Sequence, residues 1–409
     1  MSGKWPGGFI KKTAPTVVGP VDGEGGTASG IWTLDQAADY EKQGLWPKPL
    51  VYRELWGIGR NETYGQLGIL NGNTNVSSPV QVGALTNWIE AGTGQSHSVL
   101  KKTNGTIWTV GRGSVGQLGT GLIATQTSPV QVGALTTWSK VRSAAYFCAA
   151  TKTDGTLWVW GNNTNGQLGD GTTVNKSSPI QVGALTDWGT SIAVAGSGVL
   201  MTVKTDGTLW GWGSNTNGGL GDGTTVNKSS PIQVGALTDW LQVSTTYGAT
   251  IAIKTDGTLW SWGYNNAGQL GDGTTTNRSS PVQVGALTDW ANISAGAGDN
   301  VYGVKTNGTL WSWGANWSGP LGLGDSVYRS SPTQVGALTT WTVVNGYNKW
   351  AAGVATDGKL WTWGYNPYGA LGQGNITNYS SPVQVGALTT WLKVGSGPNA
   401  AGLHGFKSP

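Results

Sequence analysis

The sequence predicts an all-β protein, a seven-bladed β-propeller of four-stranded antiparallel blades, preceded by a short N-terminal segment with one helix. Three observations predict this fold. The string QVGALT, followed by one residue and a tryptophan, occurs seven times at intervals of 50 to 52 residues in a chain of 409, a period typical of propeller blades or solenoid units. Asp-Gly or Asn-Gly separates two apolar runs in six of the seven repeats. Each end of the repeat region carries half of a hairpin.

Each repeat contains four short candidate strands. In residues 251–263, IAIKTDGTLWSWG, an alternating apolar run leads to Asp256-Gly257 and then to a second run. Asp-Gly between such runs is a strong signal for a two-residue hairpin turn. The remaining strands are PVQV and the run that begins with DW, so we expect the order PVQV, DW, pre-turn strand and LWxWG within one blade. One four-stranded sheet cannot bury both of its faces, so neighbouring blades must stack.

The paired tryptophans of the LWxWG strand are expected to pack between blades. Trp260 and Trp262, for example, lie two residues apart, and residues at this spacing point to the same side of a strand. Aromatic pairs at strand spacing are typical of a buried core. We therefore predict that the indoles fill the space between adjacent sheets.

The two ends of the repeat region should complete the seventh blade together. Residues 51–68 contain the last strand of a repeat without the turn before it, and residues 400–406 form a strand with no partner after it. Joining them closes the ring and removes exposed sheet edges. We therefore assign residues 50–409 to the propeller and expect residues near 55 and 403 to be close together.

Residues 1–49 are unlike the repeats and are predicted to form an anchoring segment. A helix near 34–43 would begin after Thr33 as N-cap, with Gln36 completing a capping box, and would end at Gly44. The segment is too short to build a core of its own, so it must dock on another surface. The side chains assigned to the anchoring helix and its flanks are Trp32, Thr33, Leu34, Gln36 and Trp46.

The composition argues against catalytic, metal and nucleic-acid sites. His97 and His404 are the two histidines and Cys148 is the single cysteine, which leaves little material for a metal centre or a nucleophile–base pair. We expect all three to be structural and predict no catalytic residues, metal or cofactor. The net charge of +4 comes without a basic run, which disfavours nucleic acid as a partner. A weaker alternative, a sugar-processing enzyme, would have to use Asp299.

No apolar run approaches the length of a membrane span or of a secretion signal. We therefore expect no membrane insertion and no secretion through such a signal.

Sequence difference is concentrated on one side of the predicted disc. Because the strands alternate in direction, the QVGALT and Asp-Gly turns should lie on one side, which we call the GALT face. The loops before the third strand and after LWxWG should lie on the other, the variable face. QVGALT is identical in all seven repeats, whereas the opposite loops differ. The aromatic residues of these loops are Tyr146, Phe147, Tyr247, Tyr347 and Trp350 at the tips, and Tyr264, Trp317, Tyr365 and Tyr368 beside them.

Exposed rings beside Asn, Ser and Lys suit carbohydrate or protein surfaces. We therefore predict that the variable face binds such a surface. Drift in unconstrained loops accounts equally well for the differences among them.

The repeat resembles the regulator of chromosome condensation repeat. The resemblance rests on G-x-x-H-S at 94–98, on TDGTLWSWG and on N-x-x-G-Q-L-G-D-G-T followed by SSPVQV, and it covers about residues 51–409. It implies a seven-bladed propeller. The founding members of that family are guanine-nucleotide exchange factors on chromatin, but the loop residues of that activity have no match here. The family's histidine occurs only as His97, with Phe147, Ala249 and Trp350 at corresponding positions.

The N-terminal segment resembles leaders of structural and fibre-like proteins of tailed bacteriophages, on the pattern GxWxL…WP over about thirty residues. This resemblance implies a virion protein assembled in the host cytoplasm, with residues 1–49 contacting other virion proteins. The alternative is a helix that merely braces one blade.

Our sequence-based hypothesis is a non-enzymatic phage virion protein, a tail, fibre or decoration component, whose propeller binds a host-surface glycan or protein or a neighbouring virion component. An intracellular scaffold or exchange-factor-like propeller is the alternative, and homo-oligomerisation stays open.

Overall fold

The computed structural model describes residues 17–18, 27–28, 53–69, 74–397 and 402–408, and it divides into two units, residues 1–52 and 53–409. In the first unit, strand β1 (Val17–Val18) pairs antiparallel with β2 (Thr27–Ala28). The predicted helix near 34–43 lies outside the described residues. The same holds for the anchoring side chains Trp32, Thr33, Leu34, Gln36 and Trp46. The described part of the chain contains β-strands and no helix.

In the second unit, seven four-stranded antiparallel sheets form the blades of a propeller, as predicted. Two strands precede the first complete blade: β3 (Glu54–Gly59) and β4 (Val76–Gln81). Blade I contains β5 (Trp88–Thr93), β6 (His97–Lys102), β7 (Ile107–Gly111) and β8 (Gln126–Gln131). Blade II contains β9 (Trp138–Ser143), β10 (Phe147–Lys152), β11 (Leu157–Gly161) and β12 (Lys176–Gln181). Blade III contains β13 (Trp188–Val194), β14 (Val199–Lys204), β15 (Leu209–Gly213) and β16 (Lys228–Gln233).

The remaining blades repeat this arrangement. Blade IV contains β17 (Trp240–Thr245), β18 (Ala249–Lys254), β19 (Leu259–Gly263) and β20 (Arg278–Gln283). Blade V contains β21 (Trp290–Ala295), β22 (Asn300–Lys305), β23 (Leu310–Gly314) and β24 (Arg329–Gln334). Blade VI contains β25 (Trp341–Gly346), β26 (Trp350–Ala355), β27 (Leu360–Gly364) and β28 (Tyr379–Gln384). Blade VII combines β29 (Trp391–Val394) and β30 (Gly402–Lys407) with β3 and β4.

The predicted order of strands within a blade was wrong by one strand. The PVQV segment is the last strand of a blade and not the first, because β20 pairs with the preceding β19, with Trp260 opposite Gln283. The loop between these two strands folds the chain back beside β19. QVGALT then carries the chain from the outer edge of one blade to the inner strand of the next.

The two ends of the propeller chain close the ring, as predicted. Strand β30 pairs with β3 in antiparallel register, with Leu403 opposite Ile58 and Phe406 opposite Leu55. Each end therefore supplies two strands of blade VII. Blade VII also contacts blade I, since Thr93 N donates to Ser396 O at 2.7 Å.

Tryptophans fill the space between the blades, and the two indoles of a pair lie on one side of their strand, as predicted. Trp240, which starts an inner strand, meets Trp260 and Trp262 edge-on at centroid distances of 6.1 and 5.9 Å. Trp262 is fully buried, and its Nε1 donates to Gly219 O of the preceding blade at 3.0 Å. The same indole-to-carbonyl hydrogen bond is made by Trp160, Trp212, Trp313 and Trp363.

A glycine lies against each of these buried indoles. Gly271 has φ +73°, and a Cβ built there would lie 2.8 Å from Trp313 Nε1. The position therefore needs glycine for two reasons, the left-handed backbone and the close approach of the ring. Gly285 of a QVGALT turn has a similar φ of +62° but nothing within 4 Å.

We expect Gly271→Ala to destabilise the propeller more than Gly285→Ala does. Both substitutions place alanine in a left-handed backbone conformation, which costs roughly 1 kcal/mol. Only Gly271→Ala also forces a methyl group against a buried indole ring, which costs about 1–3 kcal/mol more. Guanidinium chloride unfolding of the two variants measures the difference. Equal losses of unfolding free energy would show that the glycine–indole contact does not constrain the seam between blades.

Candidate functional site

The two faces of the propeller are arranged as the sequence predicts. On the GALT face the Asn-Gly turn of blade I meets the QVGALT turn, since Trp138 N donates to Gly105 O at 3.2 Å. On the variable face the two loop types meet, since Asn165 Nδ2 donates to Ser197 O at 3.2 Å. The variable face is therefore a surface built from loops of neighbouring blades.

Six of the nine predicted aromatic residues reach the surface of the variable face. Tyr247 and Trp317 are exposed, at 55% and 44%. Four others are partly exposed: Tyr146, Tyr264, Tyr365 and Tyr368.

The other three predicted contact residues are buried, so the prediction that they form part of the surface was wrong. Phe147 and Trp350 are the first residues of β10 and β26. At this position the side chain points between blades. Tyr347 stacks on Trp350 at a centroid distance of 4.0 Å and donates its hydroxyl to Gly395 O at 2.6 Å. The Tyr347 and Trp350 rings fill space between blades VI and VII.

Cations that the sequence analysis missed lie between the surface rings. Lys349 Nζ is 3.9 Å from the centre of the Trp317 ring and 5.6 Å from that of Tyr365. The two rings are 6.2 Å apart. Trp317 belongs to blade V and the other two residues to blade VI, so this cluster lies over a junction between blades.

Two further clusters continue this row. Arg112 Cζ is 5.5 Å from the Tyr64 ring and 5.9 Å from the Tyr146 ring, joining loops of blades VII, I and II. Arg60 Cζ lies 5.1 Å from the Tyr368 ring, joining blades VII and VI. Arg60 and Arg112 directly follow the LWxWG-type strand. A basic residue directly after this strand is visible in the sequence and was the signal that could have indicated these two cations.

Comparison with known proteins identifies the repeat. The regulator of chromosome condensation (RCC1) repeat profile matches residues 104–151, 154–200, 206–253, 256–301, 307–345 and 357–401, and a second profile of the same repeat matches 240–269. The chain belongs to the RCC1 repeat family.

Solved structures share the fold. Prp20p from Saccharomyces cerevisiae is 17% identical with a TM-score of 0.75, covering 92% of this chain and 95% of that one. Human WBSCR16 is 18% identical with a TM-score of 0.76, covering 88% and 100%. Yeast RCC1 (Prp20) in its complex with Kap60 is 15% identical with a TM-score of 0.75, covering 100% and 96%. No curated protein matches this chain significantly.

A buried trio in this RCC1 repeat propeller resembles a nucleophile–base arrangement but lacks access to solvent. His97 Nε2 lies 2.8 Å from Ser143 Oγ and 3.2 Å from Cys148 Sγ, and all three side chains are fully buried. Burial lowers the pKa of His97 to about 3 and raises the pKa of the Cys148 thiol to about 12, against a hydrogen bond with Ser143. The trio is therefore neutral near pH 7 and joins blades I and II.

His404 is also buried, with Nε2 3.2 Å from Leu67 O. Lys407, which pairs with Trp391, occupies the register that the pre-turn lysines hold in other blades, such as Lys254 opposite Trp240.

Asp299 is a single strained carboxyl in a loop of the variable face. Its φ is +61°, a conformation that non-glycine residues rarely adopt. Burial raises its pKa to about 6, opposed by hydrogen bonding with Thr246 and Gln269. Glycoside hydrolysis requires two carboxyl groups flanking the bond, and Asp299 supplies one.

Among residues 53–69, 74–397 and 402–408, no three His, Cys, Asp or Glu side chains group in a way that could hold a metal ion. In the part of the chain that the structure describes, no helix is long and apolar enough to span a membrane.

We expect the free energy of unfolding of the His97→Gln variant to fall less steeply with decreasing pH than that of the wild type. Since the folded pKa of His97 lies below its usual 6.5, protonation favours the unfolded chain. The contribution of neutral His97 to the free energy of unfolding is complete above pH 6.5 and is lost as the pH falls toward 3. Between pH 6 and 4, the free energy of unfolding of the variant should fall by up to about 1.4 kcal/mol per pH unit less than that of the wild type. Denaturant titration at each pH measures both values. Identical slopes would show that His97 protonates freely in the folded state.

Proposed function

We propose that the chain is a non-enzymatic binding module that docks a protein or glycan surface through its variable face. The observation that carries this proposal is the row of cation–aromatic clusters over the junctions of blades V, VI, VII, I and II. The opposite face repeats one identical turn seven times. The family's fold is compatible with many functions, so the proposal rests on the surface and not on the fold.

The chemistry of the clusters supports recognition of a macromolecular surface. A ring with a cation on its face offers apolar area and charge in one place, and both are enriched at binding hot spots. Lys349 and Arg112 are held between rings of adjacent blades, so little side-chain freedom remains to be lost on binding. The row crosses several blades, which suits an extended partner better than a small ligand.

We further propose that this module belongs to a tailed-phage particle, with residues 1–49 bound to other virion proteins. The support is the GxWxL…WP pattern between Trp32 and Trp46. Mass spectrometry of purified particles tests this placement. We expect peptides from both the leader and the propeller, and their absence would contradict the virion role while leaving the binding face untouched.

Exchange-factor or scaffold activity is the second candidate. It is supported by family membership and by the fold of Prp20p, whose reported binding properties concern Gsp1p and histones. The test is release of a fluorescent guanine nucleotide from a purified small GTPase. A release rate unchanged by the protein would count against this candidate.

The binding face is tested by paired variants on the two faces. We expect Trp317→Ala with Lys349→Ala to weaken binding to a defined array of bacterial surface glycans at least tenfold, because one cluster is lost. Leu287→Ser with Leu338→Ser, at exposed positions of the GALT face, is the matched control and should bind like wild type. Loss in the control alone would reverse the assignment of the binding face.

If the array is not bound, the partner should be a protein. Cross-linking in purified particles should then yield links from the variable face. Links confined to the GALT face would contradict the proposal.

A further inference from the structure

The inner strands of all seven blades surround a cavity of about 320 Å³ on the propeller axis. Its wall is formed by β5, β9, β13, β17, β21, β25 and β29. Their side chains alternate between the blade cores and the cavity, because successive residues of a strand point to opposite sides. The cavity has no part in the variable-face proposal, so its contents are a separate question.

Over blades III to VI the wall carries no charged side chain, and several of its polar groups are hydrogen-bonded to the next blade. Ser191 Oγ accepts from Val243 N at 3.0 Å. The hydroxyl oxygens of Ser244 and Ser294 accept in the same way from backbone N–H groups of the next blade, at 2.9 and 3.0 Å. Asn345 Nδ2 donates to Val394 O at 3.2 Å. These contacts tie each inner strand to its neighbour.

Over blades VII, I and II the wall carries charge. Lys393, Lys140, Arg142 and Glu90 all line the cavity, three cations against one carboxylate. Glu90 is already engaged, since its Oε1 accepts from Arg142 Nη1 at 2.8 Å and its Oε2 from Val141 N at 3.3 Å. Within the described residues, neither Lys140 nor Lys393 has a carboxylate oxygen within 4.0 Å.

The surroundings of Lys393 oppose its charge. Its Nζ lies 5.0 Å from the centre of the Phe406 ring, a contact that favours a cation, but burial and neighbouring cations outweigh it. The pKa of Lys393 is lowered to about 8, chiefly by burial and also by the nearby Arg53, Lys140 and Arg142, whereas Glu90 raises it. An anion placed among these groups would remove the repulsion and restore the charge of the ammonium group.

We propose that the charged side of this cavity binds a small multivalent oxyanion of the phosphate type, held by Lys140, Arg142 and Lys393. A guanidinium fork and two ammonium groups match the several oxygens of a phosphate. The cavity volume lies at the lower end of the range for small-ligand sites, which fits inorganic phosphate, pyrophosphate or a phosphorylated small molecule. The charges lie in the three blades around the ring closure, so the site is complete only when blade VII has formed.

The probe for this site is inorganic pyrophosphate, titrated calorimetrically into the full chain at pH 7 with ionic strength fixed by sodium chloride. We expect saturable binding of one anion per chain and a rise in the Tm. Lys393→Met should weaken binding at least tenfold, and Lys140→Gln gives a second test at another cation of the site. Lys359→Met, in a hairpin turn of the GALT face, is the matched charge-removing control and should bind like wild type.

Proton uptake provides a measurement that general charge attraction would not give. At pH 8.5 Lys393 is partly neutral, so pyrophosphate binding should take up a proton, seen as a binding enthalpy that depends on the buffer. Lys393→Met should remove the proton uptake that comes from the ammonium group, whereas the proton exchange of pyrophosphate itself persists in the variant and serves as the baseline. The proposal is overturned if pyrophosphate shows no saturable binding beyond the chloride control, or if the Lys393 and Lys359 variants bind equally well.

Titrating inorganic phosphate and a phosphorylated sugar in the same way distinguishes the sources of the oxyanion. A failure here leaves glycan-array binding by the variable face unaffected.

Discussion

The hydrogen bond from a buried indole to a backbone carbonyl of the preceding blade is the contact on which the rest of the propeller depends. Trp262 Nε1 to Gly219 O is one of five such bonds among the residues that the structure describes. Each satisfies the polar atom of a fully buried side chain, which would otherwise be costly to bury. Each also fixes the glycine-rich loop of the neighbouring blade. Since those loops form half of the variable face, the seam between blades determines where the surface clusters lie.

A second repeated network of contacts stabilises the GALT face. Trp260 Nε1 donates to Thr258 Oγ1, which donates to Asp256 Oδ1 in the hairpin turn, at 2.9 and 2.7 Å. Lys254 Nζ lies 4.5 Å from the Trp260 ring centre and 3.3 Å from Asp239 Oδ2 of the adjoining turn. A nearly buried ammonium group is thus compensated by rings and a carboxylate. The same cation–indole contact is made by Lys102, Lys152, Lys204, Lys305 and Lys407. This network accounts for the near-identical TDGTLW segments without invoking a ligand.

The fold was predictable from the sequence because its signals are local and repeated. Asp-Gly turns, paired tryptophans and unmatched ends define the blades and their closure. The order of strands within a blade was not predictable in the same way, because PVQV can pair with the strand before or after it, and only tertiary contacts decide. Residues at strand entries were misassigned for a similar reason. Phe147 is adjacent to the partly exposed Tyr146 in the sequence, but one step along the chain moves the side chain into the core.

The charged parts of the two candidate sites were hidden by distance along the chain. Glu90 and Lys393 are isolated charges in the sequence, whereas Lys140 and Arg142 lie two residues apart, and ring closure brings all four to one cavity. Lys349 and Trp317 likewise lie in adjacent blades and are far apart in the sequence. The exposed leucines of the GALT face show the opposite case, since their pattern is visible in the sequence: Leu85, Leu135, Leu185, Leu237, Leu287, Leu338 and Leu388. A molecule that touched only this crown of equivalent leucines would meet the same surface after each one-seventh turn, so it would have seven interchangeable poses and no means of choosing its rotational setting.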